Sequence, residues 1–147
     1  LETEKNPIAK TSHHRLHEQF EGVDETIAMS SMYAANHLGV RVVAALTETG
    51  KTAMWMSRMS SNISIFAMSD NVQTLRKVTL YRGVYPCGIE KSNANDWSQV
   101  NGKVIDTLIK NEVVKDGDLV ILTKGMYKDE SGGTNMMKIL RVGDTNY

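Results

Sequence analysis

An excess of either charge is missing from this 147-residue chain, in which 17 basic residues face 17 acidic ones. That balance removes the electrostatic case for nucleic acid or an anionic membrane surface as a partner. Cysteine is almost absent. The lone Cys87 excludes an internal disulfide and fits a reducing, cytoplasmic compartment. No apolar run reaches membrane-spanning length, and no signal peptide is expected. Internal repeats and low-complexity tracts are lacking too. The opening "LETEKN" has no initiator methionine, which is expected of a piece of something longer. What remains is enough chain for one domain with its own core.

Hydrophobic patterning supplies the organisation. Residues 1–22 are polar, with a short helical turn expected around "HHRLHEQF" at 13–20. "DETIAMSSMYAANHL" (24–38) predicts a helix, with Asp24 as its N-cap, Ile27, Ala28, Met32, Ala35 and Leu38 near one face, and Gly39 as its stop. Strands are expected over 40–47, 63–69, 84–90, 118–125 and 137–143. Helices are expected over 50–60, over 70–82 with Asp70 as cap, and from Asp96 to just before Lys115. Strands alternating with helices call for a parallel sheet covered on both faces. The connection at 126–136 carries no helical pattern, so the last strand returns antiparallel as an edge.

The stretch "AALTETGKTAMW" (44–55) ends its strand in hydroxyl residues, a glycine and a lysine. Its "GKT" invites comparison with a P-loop, but that motif needs a glycine five positions before Gly50, and Ala45 stands there. The broader physics survives. Thr47, Thr49, Thr52, the Gly50 backbone and the first N–H groups of the next helix converge on one spot, where an anion is favoured. The plain alternative is that Thr49 merely caps the helix. In open α/β sheets ligands sit beyond the carboxyl ends of the strands where strand order reverses. The exits "TETGKT" and "TKGMYKDESGGTN" would share one crevice if the first and fourth strands are neighbours, with Lys51 and Lys124 or Lys128 adding positive charge.

Six segments taken in order resemble one family: "AMSSMYAANHL" (28–38), "ALTETGKTA" (45–53), "ISIFAMS" (63–69), "TLYRGVYP" (79–86), "GDLVILTKG" (117–125) and "SGGTNMMKI" (131–139). Together they resemble the C-terminal domain of pyruvate kinase, in its bacterial form. The resemblance implies an α/β/α sandwich over 23–147 with a mixed five-stranded sheet, order 3-2-1-4-5 and strand 5 antiparallel. Residues 1–22 would then lead from an absent barrel domain that holds the catalytic machinery, magnesium and potassium, so that this chain alone is expected to be inactive and to hold no cofactor. The resemblance also implies an allosteric site. Thr47, Glu48, Thr49, Gly50, Lys51 and Thr52 would take an effector phosphate. Gly125, Ser131, Gly132, Gly133 and Thr134 would belong to an effector loop running to Asn135. Members that bind fructose bisphosphate use a tryptophan and an arginine for the second phosphate. Here "WSQVNGKV" offers Trp97 and Lys103 but no arginine. A sugar monophosphate or AMP is therefore the more economical effector. The family further implies a homo-oligomer, with residues 137–143 meeting their copy across a two-fold axis.

Other candidates have plainer readings. His13, His14 and His17 share a helix spacing without partner ligands, which reads as a solvated surface. Cys87 after a proline reads as a packed thiol, and Met54, Met56 and Met59 as core or interface packing. Glu90 and the acidic pair at 129–130 lack acid–base partners. Two functional classes remain: a regulatory, oligomerising domain, or a free-standing phosphate-binding module or small phosphotransferase with Glu48 as its only candidate base.

Overall fold

The computed structural model of the chain describes residues 19–90, 96–125 and 133–147. In order it contains α1 (Val23–Leu38), β1 (Val42–Leu46), α2 (Lys51–Ser57), β2 (Ser64–Ser69), α3 (Val72–Val78), β3 (Val84–Gly88), α4 (Trp97–Lys110), β4 (Leu119–Gly125) and β5 (Thr134–Arg141). The five strands form one sheet in the order β3-β2-β1-β4-β5. All neighbours are parallel except β4 and β5, where Ile121 lies opposite Ile139 and Leu122 opposite Lys138. This is the mixed sheet expected.

The pleat sorts alternate residues to opposite faces. On one face Val43, Ala45, Ile65, Ala67 and Ile121 meet Ala28, Met32 and Ala35 of α1, Ala53 and Met56 of α2, and Val78 of α3. On the other face Val42, Ala44, Met68, Val120 and Leu122 meet Val104, Ile105 and Leu108 of α4. Among the described residues, three helices therefore crowd one face and one long helix covers the other. Ala44 and Ala45 are fully buried in the central strand. Their small side chains let helices approach it from both sides.

Several boundaries differ from the patterning, each for a local reason. Helix α1 starts one residue earlier than predicted: Gly22 is its N-cap, and its carbonyl accepts from Thr26 N and Thr26 Oγ1 at 3.1 and 2.9 Å. Asp24 is thus not the cap. It lies in the first turn and is buried. Asp70 gives way to Asn71, whose side chain accepts from the backbone N–H of Gln73 and Thr74 at 2.9 and 3.4 Å. Asp96 does cap α4, through Ser98 N at 2.9 Å. That helix ends at Lys110, short of the predicted 114, because Glu112 takes a positive φ of 60°. Strand β5 begins three residues early at Thr134, since pairing with β4 continues past Lys124 to Gly125 through a bulge. Cys87 is buried, and burial pushes its thiol above its usual range, as a packed sulfur would be. Met56 lies in the core, with Met59 packed against it. His13, His14, His17 and the 129–130 acidic pair lie outside the described residues.

Candidate anion-binding site

Strand order reverses between β1 and β4: the chain leaves β1 toward β2 and β3, then crosses under the sheet through α4 to β4 on the other side. The exits of β1 and β4 are consequently side by side, and Ala45 lies opposite Thr123 in register. Hydroxyl chemistry joins them. Thr52 Oγ1 in the first turn of α2 and Thr134 Oγ1 at the start of β5 lie 2.6 Å apart, both buried. Sequence separation hides this contact, which spans 82 residues.

The loop between β1 and α2 is built by its own side chains. Thr47 N donates to Met68 O at 3.0 Å, extending the β1–β2 ladder by one bond. Thr47 Oγ1 then turns back to accept from Gly50 N at 2.8 Å. Gly50 takes φ +83°, the left-handed region where glycine carries no Cβ penalty. An added Cβ there would also sit 2.8 Å from Val78 Cγ1. Gly50 rather than Thr49 is the N-cap of α2. Thr49 Oγ1 reaches Lys51 N only at 3.4 Å. The capping alternative is thereby answered: Thr49 is not the capping residue, and Thr47 holds the turn.

Helix α3 buttresses the loop from below, a contribution that the linear pattern conceals. Thr74 Oγ1 donates to Glu48 O at 2.5 Å, and Lys77 Nζ donates to Thr49 O at 3.2 Å. Lys77 brings a second ammonium to the loop. Lys51, the first residue of α2, extends toward α1, where its Nζ lies 3.4 Å from Asp24 Oδ2. Neither Lys77 nor Asp24 was legible as a site residue. The only hint was that each stands in the first or last turn of a helix adjoining the crevice.

The α4 side holds a different arrangement. Lys124 is 2% exposed, and its Nζ donates to Asn101 Oδ1 at 2.7 Å and stands 4.4 Å from the Trp97 ring centre. Desolvation by burial lowers its pKa below the usual lysine value, and the charge of Lys138 adds to the effect. Lys103 does not join this cluster. It turns to Glu90, donating to the backbone carbonyl at 3.1 Å with the carboxylate at 3.9 Å. Trp97 and Lys103 are thus not brought together, and the cation that Trp97 meets is Lys124. Gly125 and Thr134 flank the bulge, and a side chain at Gly125 would collide with the Gly133 carbonyl. Ser131, Gly132 and Lys128 lie outside the described residues.

Residues 25–140 match the family described as "Pyruvate kinase, alpha/beta domain". The chain belongs to this family. Its similarity to whole pyruvate kinases is continuous and strong. It is 42% identical over 140 residues to "Pyruvate kinase" of Buchnera aphidicola subsp. Baizongia pistaciae, covering 95% of this chain and 29% of that protein. It is 44% identical over 143 residues to "Pyruvate kinase II" of Salmonella typhimurium, covering 97% of this chain and 29% of that protein. With "Pyruvate kinase" of Haemophilus influenzae the identity is 40% over 127 residues, 85% of this chain and 26% of that protein. The chain thus spans less than a third of the length of these relatives, and it corresponds to their C-terminal α/β domain. Among the described residues no helix is long and apolar enough to cross a membrane.

Proposed function

We propose that this chain is the effector-binding, regulatory part of a pyruvate kinase, and that residues 47–52 receive the phosphate of a small phosphorylated ligand. The observation that carries this reading is the hydroxyl-rich turn at the β1/β4 switch point, with Lys51 and Lys77 beside it and Thr52 tied to Thr134. Thr134 opens β5, so a ligand that engages Thr52 would be felt along the β4–β5 pair. A sugar monophosphate or AMP suits the site better than a bisphosphate. Lys103 is engaged by Glu90, and the face of Trp97 is already covered by Lys124. The parent enzyme would transfer phosphoryl groups from phosphoenolpyruvate to ADP. Among the described residues no three His, Cys, Asp or Glu side chains converge on a metal position. No catalytic step is assigned to this chain.

A thermal-shift screen of inorganic phosphate, ribose 5-phosphate, glucose 6-phosphate and AMP tests the reading. A ligand at about one hundred times its Kd stabilises the native state by about 2.7 kcal/mol. Thr49→Glu and Thr52→Glu place a carboxylate in the loop and should remove that gain. Equal stabilisation of wild type and both variants would refute the site. Turnover of phosphoenolpyruvate and ADP by this chain alone would refute the assignment of a purely regulatory role.

Self-association through β5 is supported by a separate observation. Among the described residues β5 is a sheet edge with no strand along its outer side, and Met137 and Ile139 on it are 37% and 44% exposed. Leu140 is buried, so a proline there would damage the core as well as the edge. Ile139→Glu is the cleaner test: sedimentation should show a dimer for the parent chain and a monomer for the variant.

A further inference from the structure

Asp24, in the first turn of α1, is the one acidic side chain buried among the described residues. Its Oδ2 accepts no hydrogen bond and faces Lys51 Nζ at 3.4 Å. The pair is lopsided: the lysine side chain is 43% exposed and the aspartate 9%. A buried carboxylate that loses the one counter-charge it has among the described residues is left poorly compensated, and such a charge is costly. A phosphate in the 47–52 loop would draw on the same ammonium. Two anions would then compete for Lys51, and the inner one sits in the first turn of α1.

We propose that Asp24 is the positioning residue of the phosphate loop: it holds Lys51 until an anion binds, lowers the affinity for the anion, and passes occupancy on to the N-terminal turn of α1. The inference rests on the anion-site reading above and adds to it the route by which binding leaves the site. Arrival of a phosphate transfers Lys51 from Asp24 to the ligand. The relieved carboxylate then reaches for water, and the turn at residues 22–28 loosens. This turn lies against α2 on one side and follows directly from the chain segment that precedes the domain. A signal delivered there lies at the entry of the domain, where anything joined to it would feel the change. Gly22 suits the role, because a Cβ at that position would sit 2.7 Å from Asp24 Oδ1 and jam the carboxylate in place.

The experiment uses the whole 147-residue chain, titrated with inorganic phosphate and with AMP by calorimetry, together with hydrogen exchange at residues 22–28. Asp24→Asn keeps the side-chain shape and removes the competing charge. It should bind about five- to tenfold more tightly than wild type. Lys51→Met should bind more weakly, and in that background Asp24→Asn should change nothing. Ligand should speed exchange at 22–28 in wild type and leave it unaltered in Asp24→Asn. Unchanged or weaker binding by Asp24→Asn, with wild type binding normally, would overturn the proposal and leave the anion site standing. A gain that persists with Lys51→Met would also overturn it, since the aspartate would then act on the ligand and not through the lysine. Absence of any binding by wild type would remove both readings together.

Discussion

Replacing Thr52 by valine keeps the side-chain shape and deletes one hydroxyl from a buried pair. Thr52 Oγ1 and Thr134 Oγ1 are 2.6 Å apart, and their residues are 3% and 6% exposed. Removing one partner leaves the other hydroxyl buried and unpaired, which costs about 1–3 kcal/mol. Thr134→Val should cost the same for the same reason. Removing both leaves no orphan and forfeits only the net worth of the bond, about 1 kcal/mol. The singles should therefore sum to roughly 2–6 kcal/mol while the double variant costs about 1, a coupling of about 1–5 kcal/mol. Urea unfolding of all four proteins measures this through the midpoint at constant slope. In a domain of this size each kcal/mol also moves Tm by about 2–4 °C. Additive single effects would refute the reasoning, for they would mean that each hydroxyl is satisfied elsewhere and that α2 and β5 are not joined here. The double variant should also bind phosphate more weakly than its stability predicts, because Thr52 is a proposed ligand contact.

Gly50→Ala should destabilise by about 2 kcal/mol, combining the left-handed backbone with the clash at Val78, and urea unfolding should show part of the loss restored by Val78→Ala. Burial holds the pKa of Lys124 below its unfolded value, so the ammonium opposes folding at every pH below the folded pKa. That penalty fades as pH rises through the folded pKa toward the unfolded value near 10.5, so this residue's contribution to stability improves over that window. Lys138→Gln removes the like charge beside it and should raise the Lys124 pKa in an NMR titration; no rise would refute the assigned cause.

Periodicity and turn chemistry alone determined much of this protein. The alternation of strands and helices, the antiparallel return of the last strand and the hydroxyl-rich exit of β1 were all readable, because each rests on neighbours in sequence. The strand order 3-2-1-4-5 came from the resemblance, and the sheet has that order. Helix caps were harder: Gly22 and Asn71 displaced Asp24 and Asp70, since a cap depends on the backbone angle at one residue, which composition does not set. The partners of the loop were decided only by tertiary structure. Thr134 meets Thr52 across 82 positions, Lys77 meets Thr49 across 28, and Asp24 meets Lys51 because α1 runs beside α2. Likewise, Trp97 received Lys124 and not Lys103: β4 aims one side chain into the α4 face, whereas the Lys103 ammonium turns away to Glu90. A one-dimensional pattern records which face a residue occupies, while the pairing of charges across elements depends on how those elements pack, and packing exists only once the sheet has closed.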